Sequence, residues 1–230
     1  MKNRKYGFTL AEVLITLVII GVVAAMSAPA LIQHASAAKT GPAMSRAISA
    51  LSNGMQAFLF ANDANKINQS SPVAKKSNEL FAHLGTYNVK MSASLVGGIP
   101  IVADGTKDAE EIVSPENVQV FQFGDRSAVY VPLKECNPGD GSSTVGGGTN
   151  DKNGCPFYFA PIGWASKDRL VIGDDAFELA YDNEGNILIY GLEYGKLWSD
   201  GCSEPKEMSA SSDKKSCGGR IAAMNYKKDY

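Results

Sequence analysis

The sequence is poor in the residues from which active sites are usually built. Only His34 and His83 occur in 230 residues, which leaves no histidine set for a metal. Neither a Gly-x-Ser-x-Gly elbow nor a His-Glu-x-x-His pair occurs. The glycine-rich stretch after Cys136 lacks the Gly-Lys-Ser/Thr ending of a phosphate loop. No Cys-x-x-Cys is present, and a Cys/His nucleophile pair has only His83 to draw on in the C-terminal part. Formal charge is −2 with no large basic patch, so nucleic acid is not an evident partner. These absences argue against an enzyme.

What stands out instead is the apolar run from Phe8 to Ile32. Lys2, Arg4 and Lys5 precede it, Gly7 sits at the junction, and Glu12 is its single ionisable residue. Roughly 20 apolar residues at 1.5 Å each cover the hydrocarbon core of a bilayer. Positive charge before the run places residues 1–7 in the cytoplasm and everything after about residue 32 outside. Ala35-Ser36-Ala37 before Ala38 offers an ordinary signal-peptide cleavage site. The run is longer than the roughly 7–15 residues of such signals, and it contains Glu12. A carboxylate in hydrocarbon costs roughly 2.5–3.5 kcal/mol on insertion scales, so Glu12 needs either the interface or a partner.

The stretch Gly7-Phe8-Thr9-Leu10-Ala11-Glu12-Val13-Leu14-Ile15 resembles the processing signal of type IV pilins and type II secretion pseudopilins. The resemblance covers the leader and the apolar helix. It implies cleavage between Gly7 and Phe8 by a prepilin peptidase, which also methylates the new amine of Phe8. It implies a bacterial inner-membrane subunit, single-pass, that an inner-membrane assembly platform builds with identical or related subunits into a type IV pilus or a secretion pseudopilus. It further implies that Glu12 neutralises the Phe8 amine of a neighbouring subunit, and that Gly21 and Pro29 bound a segment able to extend on assembly. Membrane helices also tolerate a glycine and a proline as a simple kink. The other reading of the whole chain is a monomeric exported binding domain, held by an uncut anchor or released after Ala37.

Residues 33–63 continue as a helix, since Met44, Ile48, Leu51, Met55, Phe58 and Leu59 recur at spacings of three and four. Gly41-Pro42 is an irregularity at which this helix could restart. The amphipathic half expects a domain over one face. Asn62 to Ser77 reads as a loop, and Asn78 to Leu84 as a short helical turn. Strand signals follow at Gly98–Val102, Asn117–Phe123, Ser127–Val131, Pro156–Ala160, Arg169–Ile172, Ala176–Tyr181 and Asn186–Tyr190. Residues 137–150 are flexible by composition. The expected fold is α+β: leader 1–7, apolar helix 8–32, amphipathic continuation 33–63, and an antiparallel sheet domain over 64–230.

Cys136, Cys155, Cys202 and Cys217 all lie in the C-terminal half, behind an export-type N-terminus. An even count in that setting predicts disulfides, and sequence order favours Cys136–Cys155 and Cys202–Cys217 among three pairings. In pilins a disulfide-closed C-terminal loop often faces outward, which would make Cys202–Cys217 a surface feature. Some major pseudopilins bind calcium, and Asp182 and Glu184 in Asp182-Asn183-Glu184-Gly185-Asn186 are the oxygens such a site would use. Turn chemistry accounts for that segment without a metal, so no cofactor is expected.

Overall fold

The computed structural model describes residues 9–70, 76–87, 89–96, 98–103, 106, 108–138, 144–145, 152–161 and 167–189. Its first element is a helix of 52 residues, α1 (Leu10–Ala61), with Thr9 as N-cap and Asn62 as C-cap. At 1.5 Å per residue it is about 80 Å long. The continuous helix expected over residues 8–63 is therefore present over Leu10–Ala61. The irregularity expected at Gly41-Pro42 is not, because α1 runs through it without a break. Packing outweighs the lost backbone bond here: Thr40, Ala43, Met44 and Ala47 are all buried. The Pro42 carbonyl also accepts a bond from Arg46 Nε at 3.2 Å.

The two halves of α1 differ as their sequences require. Leu10–Ser27 is apolar all round and none of it is buried. From Ala43 onward one stripe is buried, including Met44, Leu51, Met55, Phe58 and Leu59, while Arg46, Ser49, Asn53 and Gln56 stay exposed.

The segment read as a loop between residues 62 and 77 contains a short helix, α2 (Ile67–Ser70). Two long-range effects create it. Ile67 is completely buried, and Asn183 caps the first turn, its carbonyl accepting from Ile67 N at 2.7 Å and its side-chain oxygen from Asn68 N at 3.0 Å. Helix α3 (Ser77–Leu84) follows as expected and buries Leu80, Phe81 and Leu84. Its His83 is exposed.

The remainder is β-structure: β1 (Met91–Val96), β2 (Ile101–Val102), β3 (Glu111–Val113), β4 (Val118–Phe123), β5 (Ala128–Pro132), β6 (Thr144–Val145), β7 (Lys152–Asn153), β8 (Cys155–Ala160), β9 (Leu170–Val171), β10 (Phe177–Tyr181) and β11 (Ile187–Ile189). Six strands form one antiparallel sheet in the order β1-β4-β5-β8-β10-β11, a meander from which the other strands are excursions. Gly98–Val102 gives only a two-residue strand, and it lies outside this sheet. There β2 pairs antiparallel with β3 and parallel with β9, so the domain is not purely antiparallel. Residues 137–150 are not wholly irregular either, because Thr144–Val145 pairs with Lys152–Asn153.

Alternation along each strand sends side chains to two faces. On one, Phe121, Val129, Phe157, Phe159 and Leu179 meet the buried stripe of α1 and helix α3. The Phe81 ring lies 5.1 Å from Phe157 and 6.0 Å from Tyr181. On the other, Val120, Tyr130, Tyr158 and Ala160 pack with Ile101 and Leu170 of the smaller sheet and with Ile172 just past β9. The result is an α+β domain strung on the C-terminal half of α1, which leaves the N-terminal half projecting.

Candidate functional site

The projecting half begins with a reciprocal cap. Thr9 Oγ1 accepts from Glu12 N at 3.3 Å, and Glu12 Oε2 accepts from both Thr9 N and Thr9 Oγ1 at 2.8 Å. This capping box satisfies donors that the first turn of any helix leaves open, and a carboxylate is favoured there by the helix dipole. The Thr-x-x-Glu spacing was readable in the sequence and shows that Glu12 has a partner within its own chain. Beyond it the polar groups of the span are self-contained: Thr16 Oγ1 donates to the Val13 carbonyl and Ser27 Oγ to that of Val23, both at 2.9 Å.

The remaining site residues of the helix divide. Gly21 lies on an open surface, since a Cβ there would meet nothing within 4 Å. Pro29 lies within the helical backbone of α1. Gly7 and Phe8, the two sides of the expected cleavage, lie outside the described residues.

At its other end α1 is fastened to the domain at separate levels. Arg46 pairs with Asp125 of the β4–β5 turn at 3.0 Å. Asp125 also accepts from Ser127 N at 2.9 Å, which shapes that turn around Arg126 at φ 73. Farther along, Gln56 Nε2 donates to the Glu184 carbonyl at 3.0 Å. Gly185, at φ 79, brings the β10–β11 turn so close that a Cβ would stand 3.2 Å from Met55 and Leu59.

The calcium candidates belong to this second contact. Asp182 accepts from Asn186 N at 2.8 Å and from Asn186 Nδ2 at 2.9 Å, while Glu184 is exposed. Among the described residues no group of three or more His, Cys, Asp or Glu could hold a metal ion. The carboxylate of Asp182 is thus engaged in its own turn.

Cys136 and Cys155 form a disulfide with their Cα atoms 5.7 Å apart across 19 residues, as the sequence order favoured. It closes the excursion that carries β6 and β7. Cys202 and Cys217 lie outside the described residues.

A family model described as the prokaryotic N-terminal methylation motif matches residues 2–28. The chain carries the mark of type IV pilins and pseudopilins. The motif takes in the basic leader, the Thr9–Glu12 cap, Gly21 and the whole of the exposed span Leu10–Ser27, and it stops short of the domain. It implies a pilin-like subunit processed by a prepilin peptidase, in a family whose members are typically non-enzymatic structural subunits. Motif and exposed helix together fit a chain anchored in a membrane and then exported. No curated protein and no solved structure matches the chain.

Proposed function

We propose that this chain is a structural subunit of a type II secretion pseudopilus or a type IV pilus, serving protein secretion, adhesion, motility or DNA uptake. Prepilin peptidase cuts between Gly7 and Phe8 and methylates the Phe8 amine. Segment 8–32 then holds the subunit in the inner membrane until the assembly platform passes it to identical or related subunits. Residues 33–63 carry the globular domain, and residues 64–230 form it.

One observation carries this reading. Leu10–Ser27 exposes an apolar surface, with Glu12 as its one charged residue, on a helix whose other half is anchored in a folded domain. Such a surface is stable against lipid or against other apolar helices, and not in water. Glu12 gives the transfer its selectivity: the carboxylate turned to Thr9 in the single chain turns to the Phe8 amine of a neighbour in the filament, an ion pair that an uncut subunit cannot form. Gly21 to Pro29 is the part that extends.

Mass spectrometry of the mature N-terminus tests the proposal. N-methylated Phe8 is the expected result. A chain that keeps Met1, or that begins at Ala38, would sink it in favour of an anchored or secreted binding domain.

A further inference from the structure

The end of the domain nearest the apolar span is rimmed with exposed basic side chains. The apolar run ends at Ile32, and the first described residue of α1 beyond it that is buried is Thr40. The intervening helix rises about 12 Å. The headgroup layer beyond the hydrocarbon is roughly 5–8 Å deep on each side of a bilayer. With the span in a membrane, the underside of the domain is therefore within a long side chain's reach of the headgroups.

Strand register fixes which end this is. The β4–β5 turn is fastened to α1 at Arg46, and the β10–β11 turn at Met55 and Gln56. Pairing of Val129 with Phe159, of Phe159 with Phe177 and of Cys155 with Tyr181 puts these turns at opposite ends of the sheet. The β4–β5 turn is thus the one that faces the span.

Three exposed cations gather there. Arg126 is at the tip of that turn. Lys90 precedes Met91, whose partner is Phe123, and so flanks the same turn. Lys39 is exposed on α1 just before Thr40, and helix side chains lean toward the N-terminus, here toward the membrane. None of the three is in an ion pair among the described residues. The acid of the turn, Asp125, is taken by Arg46 and Ser127. The other described acids at this end lie in the outer layer. Asp174 and Asp175 are on the β9–β10 turn, with Asp175 paired with Lys167. The exposed Asp108 and Glu110 on the connection between β2 and β3, and Glu111 at the start of β3, are at the same end, since β2 runs parallel to β9.

We propose that Lys39, Lys90 and Arg126 form a membrane-facing rim that binds the anionic phospholipid headgroups of the bilayer holding the span. The inference rests on the reading of Leu10–Ser27 as a membrane segment. The rim holds the domain at one tilt on the membrane surface, and leaving the bilayer for a filament releases it.

The test uses the full-length mature chain in lipid nanodiscs of phosphatidylcholine, with or without added phosphatidylglycerol, followed by hydrogen exchange. A basic group near an anionic surface is worth about fivefold in binding. Exchange across Phe123–Ala128 is expected to slow at least about fivefold in the anionic discs, and to recover at high salt. The effect disappears in the triple variant Lys39→Gln, Lys90→Gln, Arg126→Gln, while Asp182–Asn186 at the far end exchanges alike throughout and reports an intact fold. Equal exchange in both lipids, or an effect that survives in the triple variant, overturns the rim. A chain that enters discs of neither composition overturns the span reading and the rim with it.

Discussion

Glu12 and Thr9 are mutually capped: one carboxylate oxygen takes bonds at 2.8 Å from both the amide and the hydroxyl of Thr9. The acid of the apolar run is therefore satisfied in the isolated chain, and its role in assembly is an exchange of partners. Glu12→Ala removes both partners, the local one and the proposed one. Loss of the cap costs about 0.5–2 kcal/mol at a helix end that packs on nothing in the single chain, so the domain stays folded. The expected outcome is normal cleavage with filament incorporation reduced at least about tenfold, the equivalent of about 1.4 kcal/mol. Sheared filaments and membranes compared by immunoblot give the measurement. Wild-type incorporation of Glu12→Ala would rule out the exchange.

The Cys136–Cys155 bridge ties the segment that follows β5 to the start of β8, so its effect falls on the unfolded chain as much as on the native one. For a loop of this size the chain-entropy model gives about 3 kcal/mol. Cys136→Ser with Cys155→Ser together should lower the urea midpoint of the detergent-solubilised chain by the equivalent of about 2–4 kcal/mol. An unchanged midpoint would mean that the unfolded loop is already restricted.

Arg46 and Asp125 look like equal partners but should not contribute equally. Arg46 is mostly exposed, and exposed ion pairs are worth about 0–1 kcal/mol. Asp125 also holds Ser127 N, and its loss would free a turn whose next residue, Arg126, sits at φ 73. Arg46→Ala is expected to cost under about 1 kcal/mol and Asp125→Ala about 1–3 kcal/mol. Thermal or urea unfolding of both single variants and the double variant measures the difference as a cycle. Equal costs would show that the turn depends on the ion pair alone.

Much of this arrangement could be read before the fold was known. Helix α1 was legible because Met44, Leu51, Met55 and Phe58 repeat at helical spacing after a run with no polar face. The β4–β5 and β10–β11 hairpins were legible because Gly124-Asp125-Arg126 and Asp182–Gly185 are strong turn formers between apolar runs. Helix α2 was not, since its cap, Asn183, comes from 115 residues away. Strand β1 was not, since Met-Ser-Ala-Ser-Leu-Val is a strand through its pairing with β4 and not by its own propensity. The basic rim was invisible for the same reason: Lys39, Lys90 and Arg126 are far apart in sequence, and sheet register and the Arg46–Asp125 contact bring them to one end of the domain.

Three buried tyrosines set an upper pH limit on the domain. Burial pushes Tyr181 up to about 12, against the opposing bond from Ser77, and Tyr130 likewise up to about 12, against the Ile99 backbone. Burial and then the charge of Glu178 raise Tyr158 as well. A raised phenol favours the protonated form in the native state. Its stabilisation is complete below the unfolded value of about 10 and is lost as pH rises through the folded value, because the unfolded chain then binds fewer protons. The chain should keep constant stability up to about pH 10 and lose on the order of 2 kcal/mol per buried tyrosine between about pH 10 and 12. Tyrosinate absorbance and far-ultraviolet circular dichroism, followed together, check this: the last phenols should ionise only as the fold is lost. Tyr181→Phe removes one of these groups at the cost of a bond of 2.9 Å to Ser77, so it should be less stable at neutral pH and lose less on alkaline titration. Full ionisation of all 9 tyrosines in a chain whose dichroism is unchanged would show that the two-faced packing of the sheet opens to solvent without unfolding.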